Sequence, residues 1–234
     1  MASYLGTPMD DVVKLLNAVS ALIGAVILPV VVLLVFRMFR IEINAFIHRT
    51  NRISGKIAGV DFSIEAQQAE AAGALEKAFE SVEQRHPEIR VPDAPAAASI
   101  ATRTITPTVV ENASRSTILW VDDNPEHNVY ERRALETIGA TFVLARSTDD
   151  GLKRAQEQAF DVVISDMARG RDRTAGYTLI ERLRKSAIQT PVVIYAGSAT
   201  AEQRAEAKSK GALDATNRPD ELFQLVVTVL NSLN

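Results

Sequence analysis

Two apolar runs that each end in acids decide the fold of this chain: TILWVDD at residues 117–123 and FDVVISD at residues 160–166. Short runs rich in β-branched residues, separated by helical patterns, predict the strands of a parallel sheet. In such a sheet, residues just past the carboxyl ends of neighbouring strands meet at the crevice where ligands bind. We therefore expect Asp122, Asp123 and Asp166 to share one acidic site.

Three carboxylates at one place favour a bound cation. Hard oxygen ligands suit Mg²⁺, and a bound Mg²⁺ would draw a phosphoryl group to the site. The alternative for any one of these acids is a helix cap or a turn, where Asp is common. The arrangement at two strand ends favours the shared metal site formed by Asp122, Asp123 and Asp166.

Strands and amphipathic helices alternate through five rounds over residues 116–234, which predicts an α/β domain with a five-stranded, parallel, doubly wound sheet. The predicted strands are 117–121, 141–145, 162–165, 191–195 and 213–216. The predicted helices are 126–138, 148–158, 176–186, 201–210 and 219–233.

The amino-terminal part has a different character. Residues 18–36 carry no charge and are almost all apolar, so as a helix of roughly 28 Å they predict a transmembrane span. A buried helix of a soluble domain is the alternative. Basic residues follow the span at positions 37, 40, 49, 52 and 56. The positive-inside rule then predicts a single-pass protein of the plasma (inner) membrane, with residues 1–17 outside and the acidic site in the cytoplasm.

Residues 37–86 are predicted to be a juxtamembrane amphipathic, helical region, with a short strand near residues 60–64. Its apolar stripe of Leu75, Phe79 and Val82 needs a partner, either on the same chain or on a second copy in a homo-oligomer. Residues 87–115 contain four prolines and no sustained period, which predicts a linker.

Composition excludes several classes of site. The chain has no cysteine, so it can form no disulfide, zinc–thiolate site or cysteine nucleophile. A net charge of −3 and the absence of a basic helix give no case for a nucleic-acid partner. The three histidines show no metal-ligand spacing, and the common hydrolase, NTPase and dinucleotide motifs do not occur.

Residues 116–234 resemble the receiver domain of bacterial two-component response regulators, which has a flavodoxin-like fold. The resemblance is carried by VDD at 121–123, FDVVISD at 160–166, PVVI at 191–194, and the pairs Gly211-Ala212 and Arg218-Pro219. It implies that a histidine kinase or other phosphodonor phosphorylates Asp166, and that Asp122 and Asp123 hold Mg²⁺ there.

The chain departs from the family at positions that would sense the phosphoryl group. Arg218 stands where the family has Lys, and we predict that it pairs with the phosphate in a different geometry. Ala196 replaces a hydroxyl residue, and Ala215 replaces the aromatic residue that changes position between states.

The loop at residues 167–175 is longer than expected of the family and carries three arginines, at positions 169, 171 and 173. These arginines could clamp an anionic ligand, or they could be solvated side chains that only screen the acids.

The leading hypothesis is a membrane-anchored signalling protein that is phosphorylated on Asp166 with Mg²⁺ and relays a conformational change. Such a protein is no turnover enzyme and at most phosphorylates itself from a phosphodonor. The alternative is an unphosphorylated pseudo-receiver that binds a protein or a small ligand and could regulate a membrane effector. The expected partners are a kinase, a protein at the receiver surface, the lipid membrane and a second copy of the chain.

Overall fold

The computed structural model describes residues 60–89, 91 and 93–233, which lie in one compact unit. The helices ahead of the sheet are α1 (Val60–Arg85), α2 (Ala94–Thr102) and α3 (Pro107–Ala113). The strands are β1 (Thr117–Val121), β2 (Thr141–Ala145), β3 (Val162–Ser165), β4 (Val192–Tyr195) and β5 (Asp214–Thr216). The other helices are α4 (Val129–Thr137), α5 (Thr148–Glu157), α6 (Ala175–Lys185), α7 (Ala201–Ser209) and α8 (Pro219–Asn231), and a 3₁₀ turn at Pro125–Asn128 precedes α4.

The five strands form one parallel sheet in the order β2-β1-β3-β4-β5. This confirms the predicted α/β, doubly wound fold. The bounds of β1, β2 and β3 agree with the sequence prediction, and β4 and β5 each begin one residue later. Gly139 and Gly211 have φ of 103° and 93° and stand just beyond the ends of α4 and α7, where the chain turns through the left-handed region.

Side chains on successive strand residues point to opposite faces of the sheet, so the strands contribute to two cores. Leu119 and Val121 lie on the face covered by α5, α6 and α7, and we call the core on this side the second core. Ile118 and Trp120 lie on the opposite face. Helices α4 and α8 cover that face, and α1, α2 and α3 pack against them. We call the core on this side the shared core.

The predicted linker at residues 87–115 was wrong, because this segment contains α2 and α3. Its prolines do not break these helices. Pro95 and Pro107 lie in the first turns of α2 and α3, where a missing N–H costs no intrahelical hydrogen bond. Thr106 caps α3 by accepting a hydrogen bond from the Val109 N–H at 3.3 Å. Ile105 and Val109 are 1% and 2% exposed, so the segment belongs to the core.

The short strand predicted near residues 60–64 was also wrong, because α1 begins at Val60. The helical character predicted for the region that ends at residue 86 holds for its described part. The apolar stripe of α1 finds its partner on the same chain, since Leu75, Phe79 and Val82 are all buried and α1 packs on α2 and α4. The stripe therefore needs no second copy to cover it.

The predicted transmembrane span at residues 18–36, together with the short segment 1–17 before it, lies outside the described residues. Within the part of the chain that the structure describes, no helix has both the length and the apolar character that a bilayer crossing requires.

Candidate functional site

The three predicted acids meet at the carboxyl edge of the sheet. Asp122 and Asp123 follow β1, and Asp166 follows the adjacent strand β3. One carboxylate oxygen from each of these residues lies within 4.8 Å of the others. A set of three hard oxygen ligands at this spacing fits the chemistry of a divalent cation such as Mg²⁺.

Local hydrogen bonds fix the orientation of each acid. Asp122 is buried, and its two oxygens accept hydrogen bonds from the Asn124 N–H at 2.7 Å and from Asn128 Nδ2 at 2.5 Å. Asp123 Oδ2 accepts from the Gly170 N–H at 2.9 Å, which ties the β1 end to the loop after β3. Asp123 and Asp166 are partly exposed, whereas Asp122 is buried.

Asp166 has an unusual protonation equilibrium for an aspartate. Burial raises its pKa to about 6, and the negative charge of Asp122 acts in the same direction. A hydrogen bond from the Met167 N–H to Oδ1, at 2.8 Å, opposes the rise by stabilising the ionised form. Ionising this carboxylate is costly in the absence of a cation, which is expected of a site that binds a cation.

The long loop after β3 is held by Arg169, which is only 6% exposed. Its Nη1 donates to Ser165 Oγ at 2.7 Å and to the Asp166 carbonyl at 2.6 Å, and its Nη2 donates to the Ala175 carbonyl at 2.8 Å. Arg169 therefore anchors the loop to the protein and is not free to clamp a ligand. The other two loop arginines, at positions 171 and 173, are exposed.

Arg218, the predicted phosphate-pairing cation, makes its contacts elsewhere. Its Nε and Nη2 donate to the two carboxylate oxygens of Asp220 at 3.1 and 2.7 Å. Its Nε also lies 3.4 Å from Glu221 Oε1. In this structure the guanidinium is thus paired with acids of α8, whereas its neighbour Asn217 lines the pocket beside the acid trio.

The pocket above the acid trio has a volume of about 310 Å³, within the range of sites that bind small molecules. Ala196, where the family has a hydroxyl, lines it, and Ala215 is buried in the second core. Sequence reasoning missed most of the other residues that line the pocket. The further polar residues that line the pocket are Arg85, His86, Asn124, His127, Asn128 and Asn217.

Distance along the chain explains why Arg85 and His86 were missed. Both follow the apolar stripe of α1, some 36 residues before the first acid, and no local motif connects them to the site. The packing of α1 against α4 is what brings them to the carboxyl edge of the sheet. A tertiary contact of this kind leaves no signal in the spacing of the residues.

A buried acid lies beneath the pocket. Glu131 of α4 is 2% exposed, and its Oε1 accepts a hydrogen bond from the Tyr195 hydroxyl at 2.9 Å. Burial raises the pKa of Glu131 to about 7, while the charge of Arg85 acts in the opposite direction. Tyr195 ends β4 and stands edge-on to Trp120, with ring centroids 6.1 Å apart. These contacts connect α4 and β1 with the strand that precedes Ala196.

Comparisons with known proteins agree with this geometry. The family model described as the response regulator receiver domain matches residues 118–229. The transcriptional activator protein IrlR of Burkholderia pseudomallei, in strains 1026b and K96243, is 32% identical over 117 residues, which are 50% of this chain and 49% of IrlR. The chain thus spans about half the length of the curated relatives that it matches.

Two solved structures are also similar to this chain. The receiver domain of the Francisella response regulator 1452 is 23% identical, with 50% of this chain and 96% of that chain covered and a TM-score of 0.44. The chemotaxis response regulator CheY4 of Vibrio cholerae is 24% identical, with 49% and 98% covered and a TM-score of 0.43.

The family match contains both acid-bearing strand ends and every strand of the sheet apart from the first residue of β1. Residues 118–229 of this chain are a receiver domain of the response regulator family.

Proposed function

We propose that this chain is a membrane-anchored signal-transduction protein whose receiver domain accepts a phosphoryl group on Asp166, with Mg²⁺, and relays a conformational change. The observation that carries the proposal is the trio of Asp122, Asp123 and Asp166, with oxygens within 4.8 Å of one another in a receiver domain. A kinase with a phosphohistidine, or a small phosphodonor, would supply the group.

The proposed step is a displacement at phosphorus. A carboxylate oxygen of Asp166 attacks the phosphorus of the donor, and the bond from phosphorus to the leaving group breaks as the new P–O bond forms. The leaving group departs with the electron pair. Mg²⁺ held by Asp122, Asp123 and Asp166 would neutralise charge on the phosphoryl oxygens.

The protein's own residues support this step by orienting the acids. Hydrogen bonds from Asn124, Asn128 and Gly170 hold the β1 acids in place before any ligand arrives. Phosphate pairing by Arg218 stays a prediction, and it would require the two-pronged pair with Asp220 to open.

The phosphorylation test is intact-mass analysis of the full chain after incubation with Mg²⁺ and acetyl phosphate, with Asp166→Asn as control. We expect a labile adduct with the mass of one phosphoryl group in the wild type and none in the variant. An adduct of equal yield in both proteins would place the modification elsewhere and contradict the proposal.

The metal can be tested separately by titration with Mg²⁺. Asp123→Asn should weaken Mg²⁺ binding at least about tenfold, because it removes a charged oxygen ligand from the trio. Glu126→Gln, a change at a nearby exposed acid that pairs with Arg146, should leave Mg²⁺ binding nearly unchanged. Equal effects of the two substitutions would rule out the metal site.

The membrane anchor at residues 18–36 is supported by the uncharged apolar run and the basic residues that follow it. We expect the full chain to sediment with the plasma (inner) membrane and to need detergent for extraction. A variant that lacks residues 1–59 should remain in the supernatant. Recovery of the intact full chain without detergent would contradict the anchor.

A second candidate function is a pseudo-receiver that binds a protein or small ligand without phosphorylation. Ala196 favours it, because this residue lines the pocket and has no hydroxyl to bond a phosphoryl oxygen. The same mass experiment separates the two candidates. Mg²⁺ binding without any adduct would favour the binding module.

A further inference from the structure

The pocket above the acid trio has walls of opposite charge. The acids Asp122, Asp123 and Asp166 form one wall, and the carboxyl end of α1 supplies the cationic side chain of Arg85 to another. A dianionic phosphoryl group attached to Asp166 needs positive charge on the side away from the metal ligands. The end of α1 is where this structure offers it.

Arg85 has an unused hydrogen-bond donor in this wall. Its Nε donates to the Ser81 carbonyl at 3.1 Å, which fixes the guanidinium at the helix end. Its Nη2 is buried and has no hydrogen-bond partner among the described residues. An unsatisfied donor on a buried cationic group is costly, and a rotation of the guanidinium that brings Nη2 to an anion in the pocket would satisfy it.

Two other candidate cations, Arg218 and Arg169, are already engaged. Arg218 is paired with both carboxylate oxygens of Asp220, and Arg169 donates to backbone carbonyls and a serine hydroxyl beneath the site. Either residue would have to give up charge-assisted or buried hydrogen bonds to reach the phosphoryl oxygens. Arg85 would give up none at Nη2. Arg169 Nε is also buried without a partner in the described part of the chain, but Arg169 does not line the pocket, whereas Arg85 does.

The end of α1 also fits closely against the strand end that carries Ala196. A Cβ atom added to Gly197 would lie 2.8 Å from Cε1 of His86, so a larger residue there would require the His86 ring to move. Burial raises the pKa of both Glu131 and Tyr195, and the positive charge of Arg85 acts in the opposite direction on each. Arg85 thus interacts with a buried acid as well as lining the pocket.

We propose that Arg85, at the carboxyl end of α1, is the phosphoryl-binding cation of this receiver domain. The inference rests on the proposed phosphorylation of Asp166. Arg85 takes the role that the resemblance assigns to Arg218, and it makes α1 the element that senses the occupied site. Helix α1 runs from Val60 to Arg85, and the predicted membrane span precedes it in the sequence. A contact between Arg85 and the phosphoryl group would therefore act on the helix that follows that segment.

The experiment compares the wild type with Arg85→Gln, Arg85→Lys, Arg218→Gln and Arg133→Gln in the full chain, with acetyl phosphate and Mg²⁺. Intact mass gives the rate of adduct formation and the half-life of the adduct. Arg133→Gln is the matched control, since Arg133 of α4 pairs with Glu70 of α1 at 2.9 Å on the surface, away from the pocket.

We expect Arg85→Gln to slow adduct formation about tenfold or more, because one charge-assisted contact to the transferred group is lost. Arg85→Lys, which keeps the charge but not the planar fork, should fall between Arg85→Gln and the wild type. Arg133→Gln should match the wild type. Equal rates for Arg85→Gln and Arg133→Gln, or a large loss confined to Arg218→Gln, would overturn the proposal.

A second measurement tests Arg85 without phosphorylation, and it separates failure of this inference from failure of the proposed function. Inorganic phosphate with Mg²⁺ should raise the melting temperature of the wild type and of Arg133→Gln, but not that of Arg85→Gln. If the wild type forms no adduct yet shows this phosphate-dependent shift, the phosphorylation fails and the anion site of Arg85 stands. If phosphate shifts the wild type and Arg85→Gln equally, or shifts neither, the anion site is overturned.

Discussion

The two faces of the sheet are covered by different parts of the chain. The second core consists of residues from the receiver domain alone, between the sheet and α5, α6 and α7. The shared core also contains residues of α1, α2 and α3, which pack over α4 and α8. Residues 60–115 are therefore part of the folding unit on one side of the sheet and absent from the other.

Polar contacts strengthen the same side. Gln67 of α1 donates to the Thr137 carbonyl of α4 at 3.2 Å, and Asn112 of α3 donates to the Leu230 carbonyl of α8 at 3.1 Å. Both carbonyls lie at helix ends, where the backbone N–H partner found in the helix interior is missing. The difference between the faces suggests a division of roles, in which the side shared with α1 is the one that can report the state of the pocket to the preceding chain.

The largest effect that we predict concerns the shared core. Leu75→Ala should lower the free energy of unfolding by about 3 kcal/mol, because Leu75 is fully buried and its truncation leaves a cavity. Chemical denaturation of the full chain, followed by circular dichroism, measures the loss. The effect should be as large as that of Leu183→Ala in the second core, where Leu183 is also fully buried.

The control on the same group of helices is Ile100→Ala, since Ile100 of α2 is 57% exposed. It should change the free energy of unfolding by no more than about 0.5 kcal/mol. If Leu75→Ala were as mild as Ile100→Ala while Leu183→Ala stayed costly, α1 would contribute little to the fold and the comparison of the two faces would fail.

A smaller loss of folding stability is expected at the loop that Arg169 anchors. Arg169→Ala should destabilise the protein by about 2 kcal/mol, because it removes donors from buried carbonyls and from Ser165 Oγ. It should also weaken Mg²⁺ binding, since Asp123 is oriented by Gly170 in the same loop. Denaturation without Mg²⁺ and Mg²⁺ titration measure the two effects.

The exposed neighbour Arg171 provides the control for this loop. Arg171→Ala removes the same charge at an exposed position two residues further along the loop, and it should leave both quantities nearly unchanged. An Arg171→Ala variant that lost Mg²⁺ binding as strongly as Arg169→Ala would show that loop charge, and not anchoring, matters at the site.

The parts of the structure that the sequence could predict are those that follow from local patterns of residues. The five strands are short runs of apolar residues bounded by turns, and the acids stand one or two residues past two of those runs, so both the sheet and the acid trio followed from spacing. The helices α2 and α3 were not predicted because prolines in an alanine-rich segment suggested a linker. A proline in the first turn of a helix and a proline that prevents a helix look alike in sequence.

The rest of the pocket depends on tertiary contacts. Arg85 and His86 reach the site only because α1 packs on α4, and Arg218 turns to Asp220 because an acid two residues away offers both oxygens. The prediction that Arg218 faces the phosphate came from a family position, which fixes the backbone but not the choice of ion pair. Competition among nearby charges decided that choice.

The smallest predicted effect is a pH dependence located in the shared core. Burial raises the pKa of Glu131 from 4.5 to about 7, so the folded state holds this proton more tightly than the unfolded state. Stability is therefore gained below the unfolded pKa and is lost as the pH rises towards 7 and above. Glu131→Gln, which keeps an oxygen to accept the hydrogen bond of the Tyr195 hydroxyl, should remove this loss and stabilise the protein at pH 8 by about 1 kcal/mol.

Melting temperatures between pH 5 and pH 8 measure this effect, with Glu136→Gln, a change at an exposed acid of the same helix, as control. A wild type and a Glu131→Gln variant with parallel pH profiles would show that the charge of Arg85 already compensates Glu131, and would leave that guanidinium less free to bind an anion in the pocket.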